Sequence, residues 1–357
     1  MTRTTPPRPL DVEALFPELS AYRGTTTRLH PRPGSPGVGD SSVGGPLLWP
    51  ADEPWPVCVE PHKRRTGRRI EDVHRARRAL AEAHERGITD EDRALLKELE
   101  RPHRLDGPAD TDPLPMLAVA QLYRRDLPDL AEGPDGCDLL QVFWCPFDAH
   151  GPTRYGMSVH LRWRRSAEVG EVLPQPPRPP VVGYDGYVAE PCVLHPERVV
   201  TYPFAGELPE ELCERIYAWE EELEEAQDEA FEEPQGSYDS YEDYAAAMSE
   251  AKRPDPPGYQ YDLSIPPGWR VGGYASWHST DPSRMDCASC ATPMRLLLTV
   301  DSTEWDGGSG SWRPVEEDGL PARRHASPTH VVVGNWGELN VFSCPADPAH
   351  PHRWSIQ

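Results

Sequence analysis

Val43 to Pro54 (VGGPLLWPADEP) returns as Val271 to Pro282 (VGGYASWHSTDP), with the frame V-G-G-x3-W-x3-[DE]-P shared at a constant offset. A second pair lies downstream of each copy: V-F-x-C-P-x-D spans Val142 to Asp148 and again Val341 to Asp347. Motifs repeated in the same order point to two like-built units in one chain. The spacing therefore predicts an α+β, β-rich fold: duplicated antiparallel β half-domains in a pseudo-two-fold relation, plus helical insertions. The boundaries expected are an N-terminal extension (1–40), a first half (41–170) with a helical insertion (63–105), a proline-rich linker with acidic helices (171–257), and a second half (258–357).

Thiol and imidazole side chains follow each frame. Cys58 and His62 follow the first, and Cys287 and Cys290 the second; the downstream motifs add Cys145 with His150 and Cys344 with His350, His352 being a spare. Tetrahedral zinc takes four Cys or His ligands, commonly as two short-spaced pairs, because one turn aims two donors at a point while the fold supplies the rest. Each half thus predicts one structural Zn2+ site, giving one or two ions per chain. The bland alternative is a set of buried thiols packed as small hydrophobes. A redox role for Cys287/Cys290 lacks the βαβ setting that such pairs use.

Composition narrows the remaining choices. The 43 prolines and 28 glycines among 357 residues predict short elements and many turns. The 11 Trp, 13 Tyr and 6 Phe suffice for a core despite a mean hydropathy of -0.66. The net charge of -23 is uneven: Lys63 to Arg104 carries 13 basic and 9 acidic residues, and the rest of the chain is strongly acidic. That surface repels phosphate backbones, so no nucleic-acid partner is expected, and it would steer a basic protein partner inward. Met1 to Leu10 has no apolar run and no stretch approaches a spanning helix, so a cytoplasmic, non-membrane protein is expected. Oligomeric state is not legible.

Local periodicity predicts the elements. Ile70, Val73, Leu80 and Ala83 give one helix, and Thr89 caps a second over Asp90 to Glu100. Strands are expected near Thr25 to His30 and at 115–123, 138–145, 158–164 and 294–300, with a hairpin over His330 to Cys344 turning at Asn335 to Gly337. Leu212, Ile216, Trp219, Leu223, Ala226 and Ala230 mark the stripe of an acidic helix over about 209–231, and Tyr241, Tyr244, Ala245 and Met248 a shorter one. Gly44-Gly45 and Gly272-Gly273 are read as tight turns beneath Trp49 and Trp277, since no phosphate-loop residues follow them.

No nucleophile-base motif is present, and no catalytic residue is assigned. An enzyme with a site in the groove between the halves, drawing on Cys192, His195, His278 or Asp281, is the alternative to a binding protein. So is an immunity or regulatory factor that blocks one toxin-like partner.

The stretches around VGG-PLLW, LAVAQLY and DLLQVFWCP, matched later by VGGYASW, MRLLLTVDS and NWGELNVFSCP, resemble the YwqG family, the domain-of-unknown-function 1963 group. The resemblance covers roughly 25–165 and 258–357. It implies a β fold of duplicated units and, through distant similarity to the programmed-cell-death-protein-2 proteins, a chaperone-like role toward ribosomal proteins. The zinc-finger domain of those eukaryotic relatives has no counterpart here.

Overall fold

In a computed structural model, residues 2–106, 109–151, 156–230, 240–241, 256–320 and 326–357 are described. The strands in chain order are β1 (Gly24–Arg28), β2 (Arg32–Pro33), β3 (Ser42–Val43), β4 (Val57–Cys58), β5 (Thr66–Gly67), β6 (His103–Arg104), β7 (Leu114–Pro115), β8 (Leu117–Tyr123), β9 (Leu139–Trp144), β10 (Val159–Arg164), β11 (Cys192–Val193), β12 (Glu197–Thr201), β13 (Arg270–Val271), β14 (Arg295–Asp301), β15 (Glu338–Ser343) and β16 (Arg353–Ile356). The α-helices among the described residues are α1 (Val12–Leu15), α2 (Ile70–Arg86), α3 (Asp90–Leu99) and α4 (Glu210–Ala230). This is an α+β protein.

Two six-stranded antiparallel sheets form the body. The N-sheet runs β10-β9-β8-β3-β11-β2, and the C-sheet runs β16-β15-β14-β13-β1-β12. They match place by place. Val43 sits opposite Ala120 as Val271 sits opposite Leu298, and a bulge falls at the equivalent point of each central strand, between Ala118 and Ala120 and between Leu296 and Leu298. The apolar faces of both sheets meet in one core, where Val43, Val119, Leu122, Val142 and Trp144 are buried with Val271, Leu298, Val300, Leu339 and Val341. Apolar burial of this kind is the main driving term, at roughly 1.5–3 kcal/mol per large side chain.

The sheets are also exchanged. The chain leaves β1 in the C-sheet and enters β2 in the N-sheet through Leu29-His30-Pro31; later it leaves β11 in the N-sheet for β12 in the C-sheet through Leu194-His195-Pro196. The two crossings touch, the His195 amide donating to the Leu29 carbonyl at 2.9 Å. His30, at φ 44°, is fully buried between Glu197 (3.2 Å) and Glu304 (3.7 Å). Thus residues of the expected extension and linker provide strands to both sheets.

Each repeated frame packs on its own downstream motif. Trp49 meets Phe143 edge-on at 5.3 Å between ring centroids, and Trp277 stacks with Phe342 at 6.2 Å. Gly44 and Gly272 adopt φ of 63° and 66°, and an added Cβ would lie 2.7 Å from Glu190 O and 2.6 Å from Asp129 O respectively. Both turns therefore require glycine, for conformation and for close backbone approach.

The insertion forms the expected helix pair. Thr89 Oγ1 accepts from the Asp92 amide (3.2 Å) while Asp92 accepts from the Thr89 amide (2.9 Å), a reciprocal cap. Helix α2 docks by Ile70 and Val73 and by His74 and Arg77, which meet Glu190 at 2.7 and 3.0 Å. Leu212 and Ile216 of α4 are buried against Val12, Phe16, Leu19 and Tyr259, but Ala226 is exposed: the stripe docks only by its N-terminal part. Tyr244, Ala245, Met248 and Phe231 lie outside the described residues. One expectation is corrected. His330 to Cys344 is a turn at Gly334–Trp336 followed by one strand rather than a hairpin, because the Val332 amide donates to Gly186 O across the core, leaving a single Val333–Gly337 bridge.

Replacing Gly44 or Gly272 by alanine is expected to cost about 2 kcal/mol or more in urea unfolding, while Gly87→Ala, at φ 92° with nothing near its Cβ, costs about 1 kcal/mol or less. Equal losses at all three positions would refute the close-approach argument.

Candidate metal centres

Beside each Trp–Phe pair the fold gathers one group of four donors. Cys58, His62, Cys145 and His150 form the first and Cys287, Cys290, Cys344 and His350 the second; within each, the ligand atoms all lie within 4.8 Å of one another. All eight cysteines of the chain are free thiols.

In the first group, β4 presents Cys58 and the chain just beyond β9 presents Cys145, while the following loops bring His62 and His150 over them. His62 Nε2 lies 3.5 Å from Cys58 Sγ and 3.4 Å from Cys145 Sγ, and His150 Nε2 lies 3.8 Å from Cys58 Sγ. All four residues are buried. The outer ring nitrogens are held as well: His62 Nδ1 faces the Lys63 carbonyl at 3.0 Å and His150 Nδ1 the Glu60 carboxylate at 3.0 Å. A carbonyl only accepts, so the proton of neutral His62 resides on Nδ1 and the Nε2 lone pair points at the sulfurs. Metal-bound histidines are oriented in this way.

The sulfurs are unequal without a metal. Hydrogen bonding from Cys145, offset by burial and assisted by His150 and His62, draws the Cys58 thiol down to about 3. The hydrogen bond with Cys58, then burial and the Cys58 charge, push Cys145 up. Burial alone would lower His150, but bonding to Cys58 and Glu60 raises it on balance.

The second group opens toward solvent. Cys287 and Cys344 are buried and Cys290 is exposed. His350 turns Nδ1 toward Cys287 Sγ (3.4 Å) and Nε2 toward Asp347 (3.5 Å); Cys290 Sγ lies 3.5 Å from Cys344 Sγ. The Thr292 hydroxyl and amide draw the Cys290 thiol down to about 6, and burial raises Cys344. His352 belongs elsewhere, its Nε2 facing the Val159 carbonyl at 3.2 Å.

These distances fit a tetrahedral ion. With bonds of about 2.3 Å to sulfur and 2.0 Å to nitrogen, the sulfur-containing edges of the tetrahedron come to roughly 3.5–3.8 Å, against 3.4–3.8 Å for the five contacts given above, the other pairs lying within 4.8 Å. Four protein donors complete the shell, so an ion held here braces the loops and has no position left for a substrate.

The other candidate residues do not converge. Cys192 donates to the Pro328 carbonyl at 3.4 Å, and burial pushes its thiol up to about 12. His195 sits in a crossing between the sheets, its pKa lowered by burial. Ser276 Oγ lies 3.4 Å from His278 Nδ1, and Asp281 is exposed. The sequence reading missed Glu60, whose position between Cys58 and His62 was the available signal, and Asp347, already inside the repeated motif.

No family model matches the chain, and no curated protein matches it.

Glu60→Gln is expected to weaken metal retention at the first site by about 10- to 100-fold in competition with a chromophoric chelator, leaving the second site unchanged. Unaltered retention would remove Glu60 from the site.

Proposed function

We propose that the protein is a zinc-stapled binding scaffold for a basic protein partner. The observation that carries the metal assignment is the pair of complete Cys/His quartets in which each histidine's non-facing nitrogen is already engaged. Thiolate and imidazole donors at tetrahedral spacing favour zinc over hard cations, which take oxygen ligands. Zinc bound here contributes folding energy directly, which suits loops rich in proline and short of regular hydrogen bonds.

The partner reading rests on α4. Its 21 residues hold ten acidic side chains against Arg215 alone, and the acidic face past Trp219 is mostly exposed. Among described residues, no helix is long and apolar enough to cross a membrane. A stripe that docks for two turns and then continues as a charged rod presents carboxylates where a basic surface reaches them, and long-range attraction speeds such encounters. The motifs resembling the YwqG family support the same reading through a chaperone-like role.

Elemental analysis of the purified chain is expected to give two zinc per molecule, falling to one in Cys145→Ser or Cys344→Ser. Chelation should lower the melting temperature. Capture of basic proteins at low salt should weaken as salt rises, since the Debye length shrinks to ~8 Å at 0.15 M. A metal-free, unchanged fold would overturn the zinc assignment, and salt-independent capture the partner assignment.

A further inference from the structure

The two sheets differ at one matched position. At the end of the central strand pair the N-sheet sets Tyr123 opposite Leu139, both buried, with the Tyr123 hydroxyl donating to Val38 O at 2.8 Å. The C-sheet sets Asp301 opposite Glu338 there, and both are also buried. Directly opposed like charges destabilise a sheet, and buried carboxylates are costly unless something offsets them.

Nothing in the described protein neutralises the pair by direct contact. Arg270 lies behind it, fully buried, and donates from Nη1 to Tyr274 O at 2.7 Å; its Nε and Nη2 find no acceptor, and it makes no ion pair with either carboxylate. Asp301 accepts the Gly268 and Thr303 amides at 2.8 and 3.0 Å. Glu338 Oε1 accepts from Asn340 Nδ2 (2.8 Å) and from the Ser276 hydroxyl, while Oε2 has no donor among the described residues. Burial, then the Glu338 charge, pushes the Asp301 carboxyl up to about 8; the buried Arg270 guanidinium is attracted to both carboxylates through space but bonds to neither.

Both carboxylates line a cavity of about 230 Å3. Asp306 adds a third acid, and among the described residues His278 is the one basic-type side chain on the wall, with no lysine or arginine lining it. Tyr261 and Trp336 stand at the rim, 52% and 63% exposed, with Trp336 held at φ 61°, a conformation unfavourable for a bulky residue. The cavity is smaller than the ~300 Å3 at which pockets for drug-sized ligands begin. It also lacks the three closely grouped donors of a metal site: among described residues only the two Cys/His quartets meet that test.

We propose that this cavity binds a single primary ammonium group, with Glu338 Oε2 as its counter-ion and the faces of Trp336 and Tyr261 along its alkyl stem. An ammonium has three donors and no acceptor, matching a wall of carboxylates, and aromatic faces attract cations. A free small amine and a lysine side chain of a partner share this chemistry; the second source rests on the basic-partner reading above.

The test is an NMR titration of the full chain at low salt with n-butylammonium, N-acetyl-lysine amide and tetramethylammonium. Butylammonium is expected to bind with a Kd on the order of 1 mM, at least tenfold weaker in Glu338→Gln and about two- to fivefold weaker in Trp336→Ala, an exposed position that leaves folding intact. Tetramethylammonium, lacking N–H donors, should bind more weakly, and Glu222→Gln on α4 should behave as wild type. Acetyl-lysine amide binding as well as butylammonium assigns the cavity to a protein side chain; its exclusion assigns it to a free amine. Absence of butylammonium binding, equal binding in Trp336→Ala and Glu338→Gln, an equal loss in Glu222→Gln, or displacement by calcium would overturn the proposal. If capture of basic proteins persists while butylammonium fails to bind, only the cavity assignment falls; if butylammonium binds but no basic protein is captured, only the partner assignment does.

Discussion

The exchange of strands between the sheets is the constraint on which the rest of the molecule depends. Neither sheet is completed by its own half: β1 and β12 belong to the C-sheet, β2 and β11 to the N-sheet, and the short Leu-His-Pro segments tie each pair across the core. The apolar faces are therefore held together by covalent crossings as well as by burial. The crossing at His30 is in turn fixed by polar contacts, with Glu197 and Glu304 facing the two ring nitrogens and Arg32 paired with Glu317. Removing one member of such a buried set leaves the others unpaired, at a cost of about 3–5 kcal/mol.

Around this shared core, the two halves differ in what surrounds each donor group. The first is sealed, with Phe147 beside His62 and an arginine, Arg64, lying under the loop and donating to the Cys58 and Glu60 carbonyls. The second leaves Cys290 at the surface. Two thiols with two imidazoles thus sit in a protected setting and three thiols with one imidazole in an accessible one, and the acid pair of the cavity occurs only on the accessible side.

What was legible in the sequence was what depends on particular residue types. Glycine at φ 63° and 66°, tryptophan over a Phe of the same half, and thiols beside imidazoles recur because no other residues serve there. Thr89 announced the start of α3 for the same reason. The strand near Thr25 to His30 was legible, but the crossing it leads into was not, because its neighbours are remote: Thr26, Thr27 and Arg28 are buried, and Thr26 and Thr27 are satisfied by the Val271 carbonyl and by Asp129, partners far away in sequence. Residues 1–40 and 171–257 accordingly read as extension and linker from composition, although each contributes two strands. Gln121 and Gln141 hide in the same way, buried in a strand and bonded to each other at 3.0 Å. The Asp301–Glu338 pair was invisible since opposition across strands is a property of register, which alternation alone does not reveal.

The exchanged topology also sets an order of events at the ribosome. Strand β1 emerges first of the large C-sheet strands, yet its neighbours are β12 and β13, about 170 and 245 residues further along. At roughly 5–20 residues per second it waits on the order of ten seconds or more before either partner exists. Its four polar residues Thr25, Thr26, Thr27 and Arg28, buried or half-buried at the end, keep that nascent edge soluble until synthesis delivers the strands that will cover it.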